Sequence, residues 1–271
     1  MASNPHRQPA VFLPHGGGPC FFMDWTWGPP DTWKATQHFL ENFAATLPEA
    51  PKALLVISGH WEQPAFTAGS AADPKLIFDY SGFPEHTYQL SWPAPGDPHL
   101  ASRVHSMLTK AGLPAAEDPT RGYDHGVFIP LKVAFPEAQI PVVTLSLAAS
   151  LDPQLHLAAG RALAPLRDEG VLIVGSGMSF HNLRAYMQPE TPSRAHAFDD
   201  WLSGAVESST SQREALLAKW REAPFASFAH PREEHLIPLM VAAGAAGEAP
   251  GKRIFNDEPM GAAISAFRFD G

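Results

Sequence analysis

The sequence predicts an α/β fold, a single domain built on one twisted mixed sheet with helices on both faces. Three observations predict it. Short apolar runs alternate along the chain with segments of helical period. Two of the helical segments open on Asp-Pro and close at Gly. No unit of solenoid length repeats, and no low-complexity linker divides the chain.

The elements follow in order. Ala10–Leu13 is a short apolar strand stopped by Pro14, and 32–47 is a helix whose apolar positions are Trp33, Phe39, Leu40, Phe43 and Leu47. Ala53–Ser58 is apolar without alternation, the pattern of a strand buried on both faces. Ala65–Ala68 is a short strand, and the alternation in HTYQLSW predicts an edge strand over His86–Trp92. The segment 64–98 interrupts the alternation and reads as an insertion or lid. Helices are expected at 97–111 and 152–169, each with Asp as N-cap, Pro at the first helical position and Gly as the stop. Strands are expected at 141–147 and 171–175. Helices follow at 193–208, 212–220 and 231–246, the last opened by Pro231, and 252–256 and 262–269 are final strands.

Composition narrows the function. With 45% hydrophobic residues, the chain has the makings of a packed core and is not a disordered polypeptide. A net charge of −9 argues against a nucleic-acid partner, because phosphate binding needs a basic surface. The single cysteine, Cys20, cannot form an internal disulfide and reads as a small buried hydrophobe. The opening MASNPHRQPA has no apolar core of a leader peptide, and no run approaches the roughly 18 apolar residues of a membrane span. A cytoplasmic protein is the expectation.

The chain has 13 histidines, and position decides which carry chemistry. Three apolar strands each run into small residues and a histidine: VFLPHGGGP with His15, LLVISGHWE with His60, and LIVGSGMSFHN with His181. In open α/β sheets ligands bind beyond the carboxyl ends of strands, so three such histidines would meet in one crevice. One histidine after a strand is ordinarily a loop residue; three at equivalent places point to a metal or catalytic site. In HPREEHLIPLM, His230 precedes Pro231 as an N-cap would, and His235 shares a helix face with Leu239, where an imidazole needs a polar partner or a metal. Glu233 and Glu234 suit a helix N-terminus electrostatically. In RGYDHGVFIPL, Asp124 is placed to orient His125, an acid/base candidate in a loop leading into a helix.

Imidazole donors suit zinc, iron, copper and nickel. The sequence has no CxxC pair for a zinc ribbon or iron–sulfur cluster, no HExxH, no P-loop and no GxSxG elbow. PHGGGP, SGHW, DHGVFIPL, GSGMSFHNLR and HPREEHLIPLMVAAGAAGE, in that order, resemble class III extradiol ring-cleavage dioxygenases, in the branch of the 4,5-DOPA dioxygenase extradiol-like proteins. The resemblance runs from His15 to the final strands. It implies a single catalytic domain over 1–271 that cleaves a catechol-type ring with oxygen. It implies His15 and His60 as metal ligands, a late ligand at His235, His181 at the metal as ligand or acid/base, and His125 facing the substrate. Fe(II) is the implied metal, with Zn(II) as the alternative. The implied partners are a small aromatic diol and oxygen, with no nucleic acid, no membrane and no particular oligomeric state. Iron oxygenases that use two histidines and one carboxylate would instead take Glu234 as the late ligand. Trp61, Phe128 and Phe180 adjoin the motif histidines as candidate ring walls or plain core, and Arg184 or Arg232 could hold a substrate carboxylate. Two other readings fit the same histidines: a zinc hydrolase with Glu234 as base, and a non-catalytic metal or small-molecule binding protein.

Overall fold

A computed structural model describes residues 7–271; the first six, part of the segment read for a leader signal, lie outside the described residues. The chain runs β1 (Ala10–Pro14), α1 (Lys34–Phe43), β2 (Ala53–Gln63), β3 (Phe66–Gly69), α2 (Pro98–Lys110), β4 (Ala115–Asp118), α3 (His125–Ala134), β5 (Val142–Ala148) and α4 (Pro153–Leu163). It continues with β6 (Val171–Gly177), α5 (Thr191–Glu207), α6 (Thr210–Ala218), α7 (Ala226–Ala229), α8 (Ile237–Ala245), β7 (Gly251–Asp257) and β8 (Ile264–Phe269). The strands form one eight-stranded sheet in the order β4-β3-β5-β2-β6-β1-β8-β7. Its centre is parallel: β2 pairs with β5 and β6, and β6 with β1. β8 runs antiparallel to β1 and β7, and β3 antiparallel to β5, so the sheet is mixed as expected.

Burial explains the central runs. Leu54, Leu55, Val56, Ile57, Leu172 and Ile173 are all fully buried, because helices cover both faces of the parallel strands. The caps read from sequence are present. Asp97 accepts a hydrogen bond from Leu100 N at 2.9 Å, and Asp152 from Gln154 N at 2.9 Å. Each such cap contributes roughly 1 kcal/mol. A buried guanidinium ties the layers together: Arg167 donates to the carbonyls of Gln8, Ala245, Ala246 and Phe269. No helix among the described residues is long and apolar enough to cross a membrane.

Four expectations change, each for a local reason. Residues 86–92 are not an edge strand. Glu85–Gln89 is a 3-10 turn, because Thr87 N and Oγ1 both donate to Pro84 O and Tyr80 Oη donates to Thr87 O. The 152–169 helix leaves α geometry after Leu163, where Pro165 offers no N–H to continue the ladder, and finishes as 3-10 up to Gly170 at φ +93°. The late helix starts at Ile237 rather than Pro231. Pro238 fits only in a first turn, since further in its ring would strike the carbonyl of residue 234. β2 extends five residues beyond Ser58, past a register break against β5 between Ile57 and Glu62. The sequence reading also lacks β4 and α7, both four residues long.

Candidate active site

Each site histidine is positioned by a strand end or by a break in regular structure. His15 follows β1 directly, and its N–H donates to Gly177 O at 3.2 Å, which ties the ends of β1 and β6 together. The chain must turn at once, and Gly16 at φ +82° takes the left-handed conformation that lets it. His60 sits in the irregular stretch of β2, where the bulge frees its ring from the regular pleat. His235 lies in the turn before α8, not on a helix face with Leu239. Its carbonyl accepts from Met178 N at 2.9 Å, docking the turn on the end of β6. That approach needs Gly177: a Cβ there would lie 2.1 Å from the His235 carbonyl oxygen.

These three imidazoles converge. His60 Nε2 lies 3.3 Å from His15 Nε2 and 3.2 Å from His235 Nε2. The Nδ1 protons of the outer two are committed elsewhere, His15 to Gly16 O at 2.9 Å and His235 to Glu234 Oε1 at 2.9 Å. Both Nε2 atoms therefore present lone pairs, and His60 has one Nε2 proton at most to share between them. Burial first, then the neighbouring imidazoles, holds His15 and His235 well below the ordinary imidazole value. The same burial, with His125 nearby and Asp79 opposing, brings His60 down to about 3. Three neutral nitrogens facing one another could all be satisfied by one shared cation. At the usual metal–nitrogen distance of about 2.1 Å, donors spaced this way subtend roughly 100°, which suits a divalent transition metal with open positions. The donor set fits a metal ion.

His181 stands beside this trio. Its ring stacks on His235 with centroids 3.4 Å apart, and its Nδ1 lies 3.7 Å from Glu234 Oε1. Donor atoms within 4.8 Å of one another group His15, His60 and His235, and separately His181 with Glu234 and His235. Burial lowers His181 to about 4, helped by His125. Glu234 lies behind His235 as its hydrogen-bond acceptor and 3.4 Å from Arg232 Nη1. Glu234 Oε1 thus faces both His235 and His181, while Oε2 is buried without a hydrogen-bond partner.

His125, the first residue of α3, brings in a group that sequence reading missed. Asp79 Oδ1 accepts from His125 Nδ1 at 2.8 Å and from its backbone N at 2.9 Å, and Oδ2 lies 3.7 Å from His60 Nδ1. Burial pulls the Asp79 carboxyl up, but the hydrogen bonds and charge of His125 outweigh it and bring it down to about 2. An ionised Asp79 fixes the His125 proton on Nδ1 and leaves Nε2 as the basic nitrogen. Asp124, expected in that role, instead accepts from Ser58 Oγ at 2.7 Å and Arg121 Nη2 at 2.6 Å. His230 also leaves the site: it is buried, with Nε2 donating to Ser179 O at 2.9 Å.

The histidines open on a cavity of about 300 Å³. His15, His60, His125 and His181 line its floor, the Gly16–Gly18 loop one side, and Trp25, Trp27, Trp33, Tyr80, Phe83 and Tyr186 much of the rest. The aromatics expected from motif adjacency are elsewhere. Trp61 is buried beneath the Arg121 guanidinium, Phe128 packs on Phe78, and Phe180 on Tyr186 and Phe228. The walls come from 25–33, from the 64–98 insertion and from Met178, Leu183, Tyr186 and Met260. Cys20 is buried, and Gly17 N donates to its Sγ at 3.3 Å; burial pushes the thiol up.

The chain is similar to several known proteins. Residues 9–268 match the family described as "Catalytic LigB subunit of aromatic ring-opening dioxygenase". The chain is 40% identical to a 4,5-DOPA dioxygenase extradiol of Beta vulgaris, over 92% of this chain and 90% of that protein. It is 39% identical to the dioxygenase tasH of Hapsidospora irregularis, over 97% and 86%. A 4,5-DOPA dioxygenase extradiol of Escherichia coli K12 is 33% identical over 88% and 85%. A crystal structure of an uncharacterized Escherichia coli K12 protein superposes with a TM-score of 0.77 at 27% identity, covering 97% of this chain and 100% of its own. The chain therefore belongs to the family of the catalytic LigB subunit of aromatic ring-opening dioxygenases, metal-dependent enzymes of extradiol cleavage.

Proposed function

We propose that this enzyme opens a catechol beside its two hydroxyls, in the cytoplasm, with Fe(II) held by His15, His60 and His235. The observation that carries the reading is the convergence of their three Nε2 atoms beside an aromatic cavity that His15, His60 and His125 line, with Asp79 behind His125. Bound iron would supply Lewis acidity toward the diol and a place for oxygen.

The protein's own groups do the rest. Trp25, Trp33 and Tyr186 wall the cavity with apolar surface that excludes water and offers contacts to an aromatic ring. His125 Nε2 accepts a proton from a diol hydroxyl, because Asp79 keeps its other nitrogen protonated and stabilises the imidazolium that forms. The same nitrogen returns the proton as the ring opens. His181, neutral and stacked on His235, offers a second site for a proton or a hydrogen bond to the substrate.

The test is oxygen uptake by iron-reconstituted protein with simple catechols, together with the yellow absorbance of a ring-opened product. His60→Ala should abolish both metal binding and oxygen uptake, since His60 is the central nitrogen of the three. A variant that retained both would remove His60 from the metal.

A further inference from the structure

Apart from its imidazoles, the cavity wall carries no ionisable side chain other than Tyr80 and Tyr186: among its lining residues there is no Lys, Arg, Asp or Glu. Neither cation proposed from sequence serves it. Arg232 is bound to both carboxylate oxygens of Glu62, at 2.6 and 2.5 Å, and Arg184 is exposed and absent from the lining. Arg121 is taken by Asp124 and by the face of Trp61. The nearest carboxylate, Asp79, adds negative charge behind His125 and His60. An anionic substituent pointing away from the metal would enter this space with no side-chain counter-ion in the lining, which is costly.

The mouth has the opposite character. Four large hydrophobic side chains are exposed among the described residues, and three of them gather here: Trp27 at 46%, Leu183 at 57% and Met187 at 51%. Trp27 and Leu183 line the cavity, and Met187 reaches the same loop, its Sδ lying 3.8 Å from where a Cβ on Gly28 would be. An apolar rim continuous with a ligand cavity marks a binding surface. The volume of about 300 Å³ also leaves room beyond one ring, since roughly 150 Å³ holds a benzene.

Resting on the ring-cleavage reading, we propose that the substrate is a catechol bearing a bulky, uncharged, apolar substituent, which lies along Trp27 and Leu183 toward the mouth. Catechols with a carboxylate on that arm are disfavoured.

The experiment compares 4-propylcatechol with 3-(3,4-dihydroxyphenyl)propanoate, which matches it in length but is anionic, and with DOPA, the amino-acid catechol in the names of several relatives. Binding to the purified protein is followed under argon, where no ring opens, by quenching of tryptophan fluorescence. The neutral compound should bind roughly tenfold more tightly than the propanoate, about 1.4 kcal/mol. Leu183→Arg, at an exposed position, should narrow that gap by improving the propanoate. Equal or tighter binding of the propanoate to the wild type, no binding of 4-propylcatechol, or a gap unchanged in Leu183→Arg would each overturn the proposal. Oxygen uptake in air separates the two readings. Ring opening with a reversed preference sinks the apolar arm alone, and the expected preference without oxygen uptake sinks ring cleavage alone.

Discussion

Replacing Gly177 by Ala would test how the site is assembled. The added Cβ would lie 2.1 Å from His235 O, and 3.1 Å from both His235 C and Phe12 Cε2. That is about 1 Å short of an ordinary carbon–oxygen contact. β6 cannot yield, because it is hydrogen-bonded between β1 and β2. The turn carrying His235 must retreat by that amount, and the Met178 N to His235 O bond of 2.9 Å goes with it. Overpacking of this kind costs about 1–3 kcal/mol. A shift of about 1 Å at a spacing of 3.2 Å between His235 and His60 Nε2 should weaken the metal roughly 10–100-fold. Urea denaturation reads the first quantity, and competition against a chromophoric chelator reads the second. Gly204→Ala is the control: it lies in α5 with no atom within 4 Å of its added Cβ, and should stabilise the fold by up to about 1 kcal/mol. Wild-type stability and metal affinity in Gly177→Ala would refute the account of how His235 is held.

Two further outcomes follow from buried partners. Asp79→Asn keeps the shape of the side chain but loses the charge that fixes the His125 proton on Nδ1, so kcat should fall roughly 10–100-fold with metal binding retained; an unchanged kcat would remove Asp79 from proton handling. His156 supplies the pH dependence away from the site. Burial, partly opposed by the Asp152 carbonyl, lowers it from 6.5 to about 4. The unfolded chain therefore takes up this proton first as pH falls, so the stability this group contributes is complete above about pH 6.5 and declines toward pH 4, by about 2 kcal/mol at pH 5. His156→Gln should flatten the slope of unfolding free energy between pH 7 and 5 relative to the wild type; an unchanged slope would count against it.

Much of the architecture was legible because its causes are local. An apolar run followed by Gly and His points that histidine to the carboxyl side of the sheet whatever the neighbouring strands are, so His15, His60 and His181 could be assigned to one crevice from sequence, although His60 lies within β2 and not at its end. Asp-Pro before an amphipathic run fixes a helix start within a residue, as at Asp97 and Asp152. The start at Ile237 was obscured because Pro231 offered an earlier opening, and only the backbone shows that Pro238 occupies the first turn.

Other features depend on contacts between distant segments. Asp79 lies 46 residues from His125 in a stretch without period or motif, so nothing local marks it as the partner. The choice between His235 and Glu234 turns on which atoms face His60, and that depends on how closely the turn packs on Gly177. The cavity walls come from Trp25, Trp27 and Trp33, which in sequence look like core, and not from the aromatics beside the motifs. The sequence by itself determined the alternation of strands and helices, the caps and the histidines that follow apolar runs, because each is set by covalent neighbours. Only the tertiary structure decided which nitrogens meet, which carboxylate orients which imidazole and which rings enclose the substrate, because those follow from the order in which eight strands pair and from how closely their ends pack.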